Sequence, residues 1–525
     1  MPLFEPAAPD KFPECTVVEW VRRAASNYPD REALVCNNQR VSWADFDHRI
    51  NQVANTLISR GVKRGDRVAI LASTSIEYVE VFMGCLRSGA CLVPLSTMAS
   101  SQALQKMLTD CSAKVFFLSS SMRELVSPFV HDLPDLIAAN RLAIDFVDDR
   151  WSDYHSTIKA ASTTDPMIDI RFDDLFNIIY SSGTTGVPKG ITHSHLMRAV
   201  QMERVEQNGY ADNARTLLST PLYSNTTIVA LLPTLVGAGT VVLMPKFDAR
   251  QFLNIAQDQQ CTHCMLVPVQ YKRIMQVEDF DSFDLSRMRM KFSTSAPLRA
   301  DLKQDVLNRF PGALVEYYGL TEGGGTTVLA AHEYPHKLHT VGQPAPGVKL
   351  RFIDDNGNEV PAADGGEICG RSPAMMNGYF GRDDLTQETL WKDSNGDTYF
   401  RSGDMGHMDD DGFVHLADRK KDMIISGGLN IYANDLELAL LEDEDIEDVA
   451  VIGVPSDQWG ETPLGLVVLS DNCNRSLDAI LISANDKLGK SQRLSALESR
   501  TELPRSSIGK VLKRELRKPY WEPEE

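Results

Sequence analysis

The run Tyr180-Ser181-Ser182-Gly183-Thr184-Thr185-Gly186-Val187-Pro188-Lys189-Gly190 packs hydroxyls, glycines and a lysine into one short segment after the apolar stretch Leu175 to Ile179. Such a segment suits phosphate. Glycines let backbone approach anionic oxygens, hydroxyls donate hydrogen bonds, and a lysine adds charge. It is not a Walker loop, which needs Gly-x4-Gly-Lys-Ser/Thr, because Lys189 stands three residues after Gly186. A second candidate, Cys261-Thr262-His263-Cys264, has the CxxC spacing of redox or zinc sites. No second ligand pair follows at finger-like spacing, so the segment reads as the entry to a core strand before Val267-Pro268.

The elements around these residues alternate between helix and strand. Trp20 to Tyr28, Phe46 to Arg60, Ser75 to Ser88 and Gln102 to Cys111 have helical apolar spacing. Between them lie the β-branched or apolar runs Arg67 to Leu71, Cys91 to Pro94 and Lys114 to Leu118. This predicts an α/β fold with mostly parallel sheets covered by helices. From about Val348 the texture changes to short strands and Gly turns, as in Lys349 to Ile353, Glu367 to Cys369 and Gly412 to Leu416, which predicts a small β-rich subdomain. After Asp418 the basic cluster Arg419-Lys420-Lys421 opens another α/β stretch. Here Leu436 to Glu442 is a helix, and Val449 to Ile452 and Leu466 to Leu469 are strands. The expected division is 1–418 for a large N-terminal domain and 419–525 for a smaller mobile α+β domain.

Composition bounds the function. At 525 residues the chain holds about three or four units of ordinary size. Its net charge of −19 argues against nucleic acid or an anionic membrane as partner. A polyphosphate site must therefore carry local positive charge. Nine scattered cysteines without a framework suit a reducing, cytoplasmic setting. The N-terminus from Met1 to Pro13 lacks a basic-then-apolar leader, and the C-terminus is not a Ser-Lys-Leu address. Thr216 to Pro245 carries no charge, but Pro221, Asn225, Pro233 and Gly237-Ala238-Gly239 interrupt it. It reads as strand, loop, core helix, turn and strand, not as a membrane span.

The phosphate segment resembles that of the adenylate-forming superfamily, which includes acyl- and aryl-CoA synthetases, firefly-type luciferases and peptide-synthetase adenylation domains. Further segments match in order: Tyr317-Tyr318-Gly319-Leu320-Thr321-Glu322, Gly366-Glu367-Ile368, Asn377-Gly378-Tyr379, Arg401-Ser402-Gly403-Asp404, Asp418-Arg419-Lys420-Lys421-Asp422 and Pro504-Arg505-Ser506-Ser507-Ile508-Gly509-Lys510. The match spans nearly the whole chain.

The resemblance implies roles. Ser181, Ser182, Gly183, Thr184, Thr185, Gly186 and Lys189 would hold the β- and γ-phosphates of ATP. Glu322, with Thr184, would bind Mg²⁺, a hard cation that prefers oxygen. Thr321 would reach the α-phosphate. Tyr317, Tyr318, Gly319 and the segment holding Ser295, Ala296 and Pro297 would frame adenine. Asp404 would take the ribose hydroxyls, with Arg419 beside it. Lys510 would be catalytic, drawing a carboxylate and the α-phosphate together. Lys421 would be the hinge about which the C-terminal domain turns between half-reactions, and Ser426, Gly427 and Gly428 would line the CoA tunnel. Tyr223, Ser224, Gly319 and Gly324 would border the acyl pocket.

Some positions depart from the family's pattern. Ser224 replaces a common His, Leu429 and Asn430 follow the glycine pair where Glu-Asn is common, and Ala433 and Asp435 replace Pro and Glu. The run Gly323-Gly324-Gly325 either leaves space for a bulky acid or permits a tight bend. The implied activity is ATP-dependent ligation of a hydrophobic or aromatic acid to CoA through an acyl-AMP. Loading of a separate carrier protein and luciferase-like oxygenation are alternatives on the same scaffold. A homo-oligomer is compatible with all three.

Overall fold

The computed structural model describes residues 4, 6–181, 188–211, 213–426, 429–488, 493–506 and 509–521. The chain forms two compact units, residues 1–349 with 370–400, and residues 350–369 with 401–525.

In the first unit, among the described residues, one sheet has nine strands and another eight. The nine-stranded sheet runs parallel through Ala313–Tyr318, Met290–Ser293, His263–Leu266, Arg215–Leu218, Thr240–Leu243 and Glu32–Cys36. The eight-stranded sheet is parallel from Leu175–Ser181 through Cys91–Pro94, Arg67–Leu71 and Val115–Leu118 to its far edge. These strands are buried on both faces, and so read as continuous apolar runs. One large core gathers Trp43, Phe46, Tyr78, Phe82, Phe117 and Phe176.

Serines start many of the helices. Ser42, Ser75, Ser100, Ser194 and Ser224 each accept a backbone N–H of the first turn. Each such cap stabilises its helix by about 1 kcal/mol. The cap at Ser42 explains why the second helix begins at Trp43 and not at Phe46. The uncharged stretch resolves into strand Arg215–Leu218, helix Asn225–Val236 and strand Thr240–Leu243. Among the described residues no helix is long and apolar enough to cross a membrane. Cys261 and Cys264 are buried free thiols, pushed up to about 12 by burial.

In the second unit a hairpin pairs Thr398–Met408 with Val414–Arg419. Its outgoing strand was expected at Gly412 to Leu416. Gly412 instead sits in the turn with φ +82°, and the strand runs on to Arg419. Beyond it, strands Ile424–Ser426, Leu429–Ile431, Ile446–Ser456, Gly460–Leu469 and Ala496–Ser499 form a sheet. Helices Ala433–Leu441, Leu477–Lys487 and Lys513–Trp521 belong to the same body. Its apolar interior includes Ile424, Leu436, Leu440, Val451, Val467 and Ile480.

Candidate active site

The phosphate segment joins two antiparallel strands, Leu175–Ser181 and Lys189–Ser194, with Ser181 opposite Lys189. Ser182, Gly183, Thr184, Thr185 and Gly186 lie outside the described residues. Lys189 begins the return strand, which pairs on its other side with Gly378–Tyr379. That pairing sets the Lys189 ammonium 5.4 Å from the Tyr379 ring. Gly190 is required here, because a Cβ would meet Ile178 Cγ2 at 2.9 Å. The Tyr379 hydroxyl donates to Glu322 Oε1 at 2.9 Å. Burial and the Glu322 charge push its phenol well above the usual range. Lysine and carboxylate thus both meet the phenol, one over its ring and the other at its hydroxyl.

Glu322 follows strand Ala313–Tyr318. Its carbonyl accepts the Met376 N–H at 2.8 Å. Gly323 and Gly324 have φ of +75° and +89°, and a Cβ on Gly323 would lie 1.9 Å from the Ala374 carbonyl oxygen. The glycine run is therefore a tight bend in which Gly323 and Gly324 press against another stretch of backbone. A half-buried carboxylate at this bend has the chemistry to hold Mg²⁺ together with phosphate oxygens. Among the described residues no group of three His, Cys, Asp or Glu forms a metal cage.

Strand alternation sends Tyr317 and Tyr318 to opposite faces. Tyr317 stacks on Phe292 at 6.0 Å and accepts a bond from Asn208 Nδ2 at 3.1 Å. It is thus tied into the aromatic packing of Phe292, Tyr210 and His263. Tyr318, half-buried opposite Thr327, faces the other way. Ser295, a non-glycine residue at φ +81°, is held by a 2.5 Å bond to Thr226. Strained backbone of this kind persists only where its surroundings determine it. Leu298 N donates to Glu316 Oε1 at 3.0 Å, and Glu316 forms a buried ion pair with Lys303 at 2.5 Å. Ala296 and Pro297 lie between these two anchors.

Tyr223 and Ser224 are buried ahead of helix Asn225–Val236. Ser224 caps this helix through a bond from Thr226 N at 3.3 Å, which gives the residue replacing His a structural task. Behind it lies a network that sequence reasoning missed. Arg198 is fully buried, and its side-chain hydrogen bonds go to Asn177, Gln201, His193 and Asn225, none of them a carboxylate. Burial pushes its guanidinium down to about 9, still a cation at neutral pH. His193 Nδ1 accepts from Arg198, so Nε2 carries the proton and donates to the Thr321 carbonyl at 2.8 Å. Burial and the Arg198 charge hold His193 neutral. The available signal was a histidine and an arginine at inward positions of otherwise apolar elements.

In the second unit Asp404 and Arg419 are direct partners across the hairpin, with Nε to Oδ1 at 2.9 Å. The extended strand creates this pairing. Lys510 follows a tight turn in which Gly509 has φ +77° and Ser506 exchanges backbone bonds with Gly509 and Lys510. Its side chain keeps solvent contact, yet its ammonium is crowded by protein atoms. This desolvation pushes it down to about 8; Arg419 and Lys421 add to the fall, while Asp404 and Asp422 oppose it. The charges of Asp404 and Arg419 thus act on Lys510 from far along the chain. Lys421 is exposed in the turn Arg419 to Met423. Ser426 pairs with Gly460, while Gly427 and Gly428 lie outside the described residues.

The chain is similar to known proteins over most of its length. Residues 21–380 match the AMP-binding enzyme family, and residues 435–510 match the AMP-binding enzyme C-terminal domain. A feruloyl-CoA synthase from an Amycolatopsis species is 33% identical over 505 residues, covering 95% of this chain and 98% of that protein. A fatty acid–[acyl-carrier-protein] ligase from Streptomyces coeruleorubidus is 29% identical over 519 residues, covering 96% of each. The crystal structure of ATP-bound MatB from Rhodopseudomonas palustris superposes with a TM-score of 0.87 at 28% identity, covering 97% of this chain and 99% of that one. The chain belongs to the AMP-binding enzyme family, within the adenylate-forming superfamily.

Proposed function

We propose that the protein, an AMP-forming acyl-CoA synthetase, joins a hydrophobic or aromatic monocarboxylic acid to CoA in two steps. In the first, a carboxylate oxygen of the acid attacks the α-phosphorus of ATP. The bond from that phosphorus to the bridging oxygen breaks, and pyrophosphate leaves with the electron pair. A carboxylate is already a nucleophile, so no general base is needed. In the second step the CoA sulfur attacks the acyl carbonyl, the carbon–oxygen bond to AMP breaks, and the thiol proton passes to solvent.

The observation that carries this reading is the Asp404–Arg419 ion pair together with the electrostatic influence of both residues on Lys510. With Asp404 on the ribose, Lys510 would touch the α-phosphate and the incoming carboxylate. It would offset repulsion between two anions and stabilise the transferring group. Lys189 and the phosphate segment would hold the departing pyrophosphate. Mg²⁺ bound by Glu322 and the phosphate oxygens would neutralise charge on the leaving group. Tyr379 would orient that carboxylate, and His193 would fix the Thr321 peptide beside it. The C-terminal body, turning about Lys421, would then withdraw Lys510 for the thioester step. A hydrophobic or aromatic acid is supported by the Tyr223–Ser224 wall and by the feruloyl-CoA synthase likeness.

The test is Lys510→Ala with the two half-reactions assayed separately. Loss of one preorganised charge contact costs about 10²- to 10³-fold. Adenylation should fall by that amount while thioester formation from preformed adenylate persists. Equal loss of both would refute the assignment. A carrier protein as acceptor is favoured by the Streptomyces likeness alone. An acid panel with and without CoA separates these readings. Turnover that requires CoA supports the ligase, adenylate that only a carrier consumes supports the second, and light or oxygen uptake would point to an oxygenase.

A further inference from the structure

We propose that Arg198 is an electrostatic determinant of the nucleotide site, a buried cation bonded only to neutral groups, whose field favours a charged α-phosphate over an uncharged nucleoside. The inference rests on the reading above, in which Thr321 reaches the α-phosphate.

Arg198 sits on helix His195–Gln201 and is fully buried. Its Nη1 donates to Gln201 Oε1 at 3.1 Å and its Nη2 to Asn225 Oδ1 at 3.0 Å. Nε and Nη2 both reach Asn177 Oδ1, at 3.3 and 3.1 Å, and Nη2 also donates to His193 Nδ1 at 2.8 Å. Every one of these acceptors is a neutral dipole, so the guanidinium is solvated yet keeps its whole charge. Two nearby acids are committed elsewhere. Asp174, whose carbonyl receives the first N–H of this helix, pairs with Arg64 at 2.6 Å. Glu322, next in the chain to Thr321, accepts from Tyr379. Keeping such a cation costs folding free energy. Its burial also leaves its field little screened by salt.

His193 gives that field its direction. Its Nε2 donates to the Thr321 carbonyl at 2.8 Å, so one imidazole separates the guanidinium from the Thr321 peptide. An α-phosphate held at Thr321 would lie about 10 Å from the charge, where an effective dielectric of about 20 makes one unit charge change the affinity for another by about tenfold. The geometry of the path does not depend on that charge. Asn177 Nδ2 also donates to His193 Nδ1, at 3.1 Å, and so holds the same tautomer without Arg198. Position and charge are therefore separable by mutation.

The experiment titrates the full chain calorimetrically with AMP and with adenosine, and reads the ratio of the two dissociation constants. Arg198→Met removes the charge; it should cut the AMP advantage about tenfold while adenosine affinity holds. Gln201→Glu leaves the guanidinium in place and sets a carboxylate against Nη1; it should cut the advantage about threefold or more, with no loss of melting midpoint. Arg250→Gln removes an exposed cation paired with Asp279 and is the control for net charge, which should leave the ratio unchanged. Equal weakening of both ligands would make Arg198 a packing residue and overturn the proposal. So would an unchanged ratio in either variant, or a control that lowers the ratio as far. Should Arg198→Met not fold, Gln201→Glu decides alone. The nucleotide reading fails in a different way. If the unmutated protein binds AMP no better than adenosine, Thr321 has no α-phosphate to favour, and the inference falls with that reading.

Discussion

Crowding has taken the Lys510 ammonium from an ordinary lysine value down to about 8. The first half-reaction needs the cation, so it is lost as pH rises through 8 and not through 10.5. With a value of 8 the cationic fraction falls about tenfold between pH 7 and pH 9. The kcat/KM for ATP in pyrophosphate exchange reports groups of the free enzyme, and should fall by that factor over that interval. The kcat profile should break later, because bound phosphates favour the charged lysine. Thioester formation from preformed adenylate should not share the decline, and a thiol nucleophile gains from rising pH. Lys510→Arg keeps its charge across the whole range. Whatever its absolute rate, its kcat/KM should lose the inflection near 8. A flat wild-type profile, or the same inflection in the arginine variant, would refute the reasoning. The stability sign runs the other way. The folded protein holds this proton less tightly than the unfolded chain, so the group disfavours folding below about 8, and that penalty lifts as pH rises towards 10.5.

Two further outcomes follow from the first unit. Tyr379→Phe removes the hydroxyl bonded to Glu322; hydrogen bonds to charged groups contribute about 1.5–3 kcal/mol, so the Mg²⁺ concentration for half-maximal exchange should shift by about tenfold or more with little change in melting temperature. Gly323→Ala forces a Cβ into the Ala374 carbonyl at positive φ; urea unfolding should show a loss of at least about 2 kcal/mol, and a variant as stable as the parent would deny the tight bend.

The sequence was most legible where chemistry is local. Apolar runs of four or five residues between capped helices gave the parallel sheets, because a doubly covered strand has no polar face to confuse the pattern. The Gly-Asp and Gly-Lys segments could be placed in order, but their convergence could not. Asp404 meets Arg419 only because the hairpin strand continues three residues past Leu416, and that length is set by pairing, which no single strand encodes. Tyr379 reaches Glu322 through an edge strand of two residues, too short to show periodicity. Arg198 was invisible for a different reason. A buried guanidinium among amides and an imidazole depends on four partners, of which Asn177 and Asn225 are far along the chain, and each alone reads as an ordinary polar side chain.

The bend at Gly323 and Gly324 also bears on how such an enzyme can change its diet. Both positions are closed to mutation by backbone, not by replaceable side chains. On the reading proposed above, drift in acid preference is thereby diverted elsewhere, to positions such as Tyr223 and Ser224. Even there Ser224 is committed as a helix cap, and the Thr226 bond to Ser295 links any change to the strained backbone at Ser295. Exploring new acids on this scaffold would therefore move along a narrow path, on which a change at Ser224 is felt at Ser295, in the segment proposed to frame the nucleotide.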